Sequence, residues 1–436
     1  MGLTKLRKIL IATLLLALVS YNPGAVERRG KITDKYVPGN VRLSNELSDY
    51  HEFSGFEKTI NSFLRRWEIA GASVAVAKNG KLIYAKGFGL ANREENVAVE
   101  PYNRFRIASV SKLITAVAIM KLQEEGKLSV NDKVFGPDGI LNDPYFSDPK
   151  DKRVYGITIA HLLSHEGGWT TRWGDQMFMP IVVSEAMGIK PPVDTKTIVR
   201  FALNKNLHFT PGSGRSYSNL GYAILGLVIE KVTGMQYADF CRKEVLEPLG
   251  IYDMTLAKNL LSEKAPFEVS YYEPYDAERK PSLYSYGEMV PASNGGNDIE
   301  ALGAAGAWLS TAPDLMKLLL AIDGFDSKTD FLSAESIRFM TDTENGYAPV
   351  GWKTTIQDGT WWRTGTFPGT ACMIKRQPDG TSWVVLLNSS AWNGPEISAD
   401  INYMMARALS QVKTWPDRDL FNYVVPVPLQ EELNAE

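Results

Sequence analysis

Cysteine is nearly missing from this chain: Cys241 and Cys372 are the only two in 436 residues, far too few for a disulfide scaffold. They fall on segments that read as a helix and a strand, and both are expected to be buried free thiols even in a compartment that permits a bridge. No apolar run is long enough to span a bilayer comfortably. No basic block stands beyond the N-terminus and the net charge is −3, so nucleic acid is not an expected partner. The G-x-S-x-G elbow of the α/β-hydrolases does not occur. His161 and His165 are i and i+4 in ITIAHLLSHEGG, yet HEGGW lacks the second histidine of a zinc-protease helix, so no metal site is expected. The two histidines are instead expected to hold the loop that carries Trp169 and Trp173.

What is present is enough apolar residue, 44% with 10 Trp and 17 Phe, to bury a large core in one two-lobed unit or two domains. Residues 1–25 place Lys5, Arg7 and Lys8 before an apolar run from Ile9 to Val19, the pattern of an export signal. With Ala25 preceded by Pro23 at the minus-three position, no small-x-small cleavage site is clean, so an uncleaved membrane anchor stays open. The chain is therefore expected to be exported, to the periplasm or the exterior.

Residues 26–52 are polar and aperiodic and read as a linker. Residues 54–68 read as an amphipathic helix. Asn79-Gly80 sits between two β-rich runs, a strong hairpin signal, and Asp358-Gly359 and Asp379-Gly380 repeat it downstream. These strands are expected to share one antiparallel sheet, with the helical pattern PEISADINYMMARALSQV covering it. The expected fold is α+β: a sheet lobe from 53–107 and 341–412, an inserted, mostly helical lobe over 108–340, and a tail over 413–436. A cleft between such lobes is a favoured place for a site.

One stretch stands out, FRIASVSKLITAVAIM from Phe105 to Met120. Ser109 and Lys112 share a helical face at i and i+3, in a run with no wide polar face for a lysine to rest on. A buried lysine either finds partners or sheds its proton. A neutral Lys112 could accept the proton of Ser109, as a serine nucleophile requires. Two other S-x-x-K matches, Ser147/Lys150 and Ser410/Lys413, open no buried helix. A second element, Tyr217-Ser218-Asn219, precedes another apolar helix, and a phenol near a cationic lysine can serve as general base. A third, Arg363-Thr364-Gly365, lies on an expected strand of the sheet. Its glycine admits close approach, and the Thr366 N–H together with that of Ser109 could donate to an oxyanion.

With these three elements in order, the sequence resembles the serine β-lactamase and penicillin-binding protein superfamily, nearest the branch of class C β-lactamases, D-aminopeptidases and family VIII esterases. The blocks ITIAHLLSHEGG, SYSNLGYAILGLVIEKVTG and GAAGAWLSTAPDL are also similar to family segments in family order, from about Phe53 to Leu409. The resemblance implies an acyl-enzyme mechanism without metal or organic cofactor. Ser109 attacks a carbonyl, Lys112 and Tyr217 move protons, Asn219 orients the acyl side, and the amides of Ser109 and Thr366 hold the oxyanion. The partner is a small-molecule or peptide substrate: a β-lactam, a D-amino-acid peptide or a small ester.

The third element departs from the pattern, which opens with Lys or His where this chain has Arg363. Arginine cannot shuttle protons but can clamp a carboxylate, so Arg363 is expected to read a carboxylate on the substrate. Trp169, Trp173, Tyr271 and Tyr272 lie in loops near the expected cleft mouth, where packing is the commoner fate than lining an acyl pocket. The competing reading of the whole is a non-catalytic or penicillin-binding sensor or assembly protein on the same fold.

Overall fold

The structure, a computed structural model, describes residues 42–344 and 348–422. The expected N-terminal signal or anchor, residues 26–41 of the expected linker and residues 423–436 of the expected tail lie outside them. The principal strands are β1 (Gly71–Lys78), β2 (Lys81–Asn92), β3 (Val97–Ala98), β4 (Thr354–Thr355), β5 (Trp361–Phe367), β6 (Thr370–Arg376) and β7 (Thr381–Leu387). They form a seven-stranded antiparallel sheet in the order β3-β2-β1-β7-β6-β5-β4. The first hairpin turns where the sequence marks it: Asn79 and Gly80 have φ of 50° and 77°, the doubly positive pair that a two-residue hairpin loop needs.

Strand alternation gives the sheet two buried faces. Ala72, Val74 and Val76 of β1, with Trp383, Val385 and Leu387 of β7, pack under two helices, α1 (Ser54–Arg66) and the one spanning Ile397–Leu409. Ala75, Ala77, Val384 and Leu386 point the other way, into the larger core that fills the helical region. Helix Ala312–Leu320 packs on β7 and β1, so the sheet draws one of its covering helices from the segment read as the helical lobe. The end of the expected linker is also built in. The Asn45 side chain accepts from Gly87 N–H at 2.7 Å and donates to Val99 C=O at 2.8 Å, and Ser48 donates to Ala85 C=O.

The helical region is organised by α2 (Ser111–Glu124), whose residues from Ser111 to Met120 are all buried. A helix enclosed on every side needs no polar stripe, which is why its sequence shows no amphipathic period. A small second sheet pairs Phe105–Arg106 with Trp308–Ser310 and the latter with Thr255–Leu256. It delivers the chain into the turn before α2 and places the Gly303–Ala305 turn beside that helix. Among the described residues, no helix is long and apolar enough to cross a membrane.

Candidate active site

Ser109 sits in the tight turn Ala108–Val110 that leads into α2. Ala108 is held at φ 44°, a left-handed conformation uncommon outside glycine, which turns the chain sharply just before the serine. Strand β5 lies hard against this turn. A Cβ built on Gly365 would stand 2.4 Å from Ile107 O, 2.8 Å from Cys372 Sγ and 2.9 Å from Ser109 N, so only glycine permits the approach.

Lys112 is fully buried in the first turn of α2. Its Nζ donates to Asn219 Oδ1 at 2.7 Å, to the Ala305 carbonyl, and at 3.3 Å to Ser109 Oγ. Three acceptors match the three donors of an ammonium group. Burial nevertheless lowers its pKa, the Arg363 charge adds to that, and Tyr217 and Asp175 oppose it.

Tyr217 precedes helix α3 (Asn219–Thr233). Ser218, rather than Asn219, caps that helix, accepting from Gly221 N–H at 3.0 Å. The asparagine amide is thereby free to reach sideways. Its Oδ1 takes the Lys112 bond and its Nδ2 donates to Asp175 Oδ2 at 2.7 Å. The Tyr217 hydroxyl lies 2.6 Å from Ser109 Oγ, while the ring remains 42% exposed. Desolvation raises the phenol's pKa, but the Lys112 and Arg363 charges, with the hydrogen bond to Ser109, outweigh it, bringing it down to about 8.

Arg363 takes a different place from the one expected. It is 2% exposed, with Nε donating to Ser109 C=O at 2.9 Å, Nη1 to Trp352 C=O at 3.4 Å and Nη2 to Tyr217 OH at 3.3 Å. Its side chain lies beneath the serine turn with every nitrogen engaged, so no fork is presented to a substrate carboxylate. Thr364 points the other way. It lines a cavity on the opposite face of the sheet with Trp362, Met373, Lys375 and Asn402, and its side chain does not meet Ser109. Beyond Arg363, it is the backbone at Gly365 that comes up against the serine turn. In the two-residue hairpin Phe367 pairs with Thr370, and alternation along an antiparallel ladder then turns the N–H of Thr366 outward, away from β6. That is the side on which Trp362 C=O accepts from Lys353 N–H at 2.9 Å.

Ser147, Lys150, Ser410 and Lys413 are all exposed, and neither pair opens a buried helix. Cys241 and Cys372 are buried free thiols on a helix and on β6. Trp169 and Tyr271 are core residues, and Tyr272 OH donates to Glu94. His161 belongs to the cap of a short helix, its Nδ1 accepting from Thr158 N–H. Among the described residues, no cluster of His, Cys, Asp or Glu could hold a metal ion. Sequence reasoning missed Asp175 and the Ala305 and Trp352 carbonyls. Carbonyls carry no residue identity to read. Asp175 gives only a local signal, as the N-cap of the turn Gln176–Phe178.

Comparison with known proteins accords with this geometry. A family model described as Beta-lactamase matches residues 56–406. Penicillin-binding protein 4* of Bacillus subtilis is 27% identical over 364 residues, covering 80% of this chain and 70% of the relative. Protein flp of Staphylococcus aureus is 31% identical, but the match covers 48% of this chain and 38% of that protein. Among solved structures, the octameric penicillin-binding protein homologue of Pyrococcus abyssi superposes with a TM-score of 0.60 at 27% identity, covering 83% of this chain and 78% of the other. D-amino acid amidase of Ochrobactrum anthropi SV3 gives 0.63 at 20% identity, covering 84% and 99%, and shares the fold.

Proposed function

The chain belongs to the Beta-lactamase family, and from that premise we propose that it is an exported serine hydrolase that opens an ester or amide bond through an acyl-Ser109 intermediate. The observation that carries this reading is the 2.6 Å approach of Tyr217 OH to Ser109 Oγ, with two cations beside the phenol. An ionised Tyr217 takes the Oγ proton as Oγ bonds to the substrate carbonyl carbon. The resulting oxyanion is received by the outward N–H of Thr366 and the N–H of Ser109. Tyr217 then returns its proton to the leaving nitrogen or oxygen as that bond breaks. A water, losing a proton to the same phenolate, releases the acyl group and restores Ser109. Lys112, with its three donors engaged, serves here as the fixed cation that keeps Tyr217 ionisable.

β-Lactams, D-amino-acid peptides and small esters all fit this chemistry. One protein of similar fold is a D-amino acid amidase and another, EstCE1, is a hydrolase with promiscuous acyltransferase activity. The basic and apolar N-terminal segment supports export. The test is intact-mass analysis after incubation with a fluorophosphonate and, separately, with a penicillin, on the wild type and on Ser109→Ala. A covalent adduct with either probe, confined to the wild type, is expected. No adduct with either, or one that persists in the variant, would overturn the reading. A penicillin adduct that never decays would instead favour a penicillin-binding protein without turnover, as the resemblance to Penicillin-binding protein 4* also allows.

A further inference from the structure

His165 makes three contacts that converge on Tyr217. Its backbone carbonyl accepts from Ser216 N–H at 3.0 Å, and its Nδ1 accepts from Ser218 N–H at 3.2 Å, so it holds the residue on either side of the tyrosine. Its ring lies against the Tyr217 ring at 4.7 Å between centroids and against Tyr222 at 5.2 Å. The residue is also held at φ 63°, a left-handed conformation that directs carbonyl and ring toward the same segment. We propose that His165 is a positioning residue that aims the Tyr217 hydroxyl at Ser109, acting from behind the tyrosine without touching substrate.

The inference rests on the serine-hydrolase reading above and deepens it. An imidazole that accepts at Nδ1 is neutral and carries its proton on Nε2. The charged and titratable groups around it enforce that state. Burial and the cations Arg363 of β5, Lys112 of α2 and Arg215 of the adjoining loop hold its pKa well below the usual histidine range. Arg215 is in turn paired with Glu166 at 3.0 Å. Tyr217 and Tyr222 complete its surroundings, and Tyr222 OH is itself committed to Leu163 C=O. A protonated ring would set an N–H against the Ser218 N–H and add a third cation beneath the phenol. The clamp therefore stays in one protonation state throughout the neutral range, and the tyrosine in one orientation.

Two replacements separate this role from simple support of the fold. Asparagine places an acceptor near the position of Nδ1 and tolerates positive φ, whereas glutamine carries its acceptor too far out to reach Ser218. Single-turnover acylation by an activated ester should slow about tenfold or more in His165→Gln, with KM little changed, and most of the rate should return in His165→Asn. The alkaline rise of the acylation rate should also move to higher pH in His165→Gln, because a phenol that swings away from Lys112 and Arg363 loses the charges that favour its ionisation. Thermal unfolding of both variants is followed in parallel. Equal rates and equal pH profiles for wild type, Asn and Gln would overturn the inference while leaving the acyl-serine reading in place. Loss in both variants tracking their loss of stability would overturn it as well. A wild type that acylates with no ester or fluorophosphonate would remove both.

Discussion

Asp175 decides which way the Asn219 amide faces. Because Asp175 Oδ2 accepts from Asn219 Nδ2 at 2.7 Å, the oxygen of the amide is left to meet Lys112 Nζ, also at 2.7 Å. An ionised carboxylate accepts only, so the reverse orientation would set two acceptors together at one end and two donors at the other.

Replacing Asp175 by alanine frees that amide. A buried polar group left without a partner costs about 1–3 kcal/mol, equivalent to about fivefold to 150-fold in rate if the cost falls on the reacting arrangement. Asp175→Ala is therefore expected to slow acylation by that order, and Asp175→Asn, which can still accept, to slow it less. Stopped-flow acylation by an activated ester measures both. Equal rates in all three proteins would show that the amide needs no such guide.

The pH dependence follows from Tyr217. With the phenol brought down to about 8, the fraction ionised grows as pH rises, so acylation should accelerate through about pH 8 and level off above it. Removing the Arg363 charge raises the phenol again. Arg363→Ala should thus shift the rise upward, and Arg363→Lys, which keeps a cation, should shift it less. A wild-type profile that is flat between pH 6 and 10 would take Tyr217 out of the proton path.

Arg363 should not discriminate between charged and neutral substrates, since all three of its nitrogens are spent on Ser109, Trp352 and Tyr217. For one carboxylic acid and its methyl ester, Arg363→Ala is expected to lower kcat/KM by the same factor. A loss confined to the acid would mean that the guanidinium swings out to bind it.

Gly365→Ala would press a methyl group into Ile107 O, Cys372 Sγ and the Ser109 amide, with distances of 2.4, 2.8 and 2.9 Å to accommodate. Overpacking of this kind costs about 1–3 kcal/mol. The nearest atoms are backbone of the serine turn, so fluorophosphonate labelling should fail even in the fraction that remains folded. Denaturant unfolding and labelling yield, measured together, separate the two effects.

Much of the fold and site is legible in the chain. Ser109 and Lys112 announce themselves because a lysine in an apolar run has to be explained, and the turn dipeptides Asn79-Gly80 and Asp379-Gly380 locate strands whose pairing then follows. The place of Arg363 escapes a sequence reading for a reason of geometry: neighbouring strand residues face opposite ways, and tripeptide identity does not reveal that Arg363 turns beneath the serine turn while Thr364 turns to the far face of the sheet. Ala305 and Trp352 contribute carbonyls that any residue would supply. The Asp175–Asn219 bond joins segments separated by several helices, and no local pattern signals it.

The register of β1 on β7 also bears on how the molecule is made. Ala72 pairs with Leu387 and Lys78 with Thr381, so the first hairpin meets its central partner only when nearly the whole chain has left the ribosome. Long-range pairings of this kind form slowly, after local helices. The apolar faces of β1 and β2 must wait uncovered through synthesis of everything between.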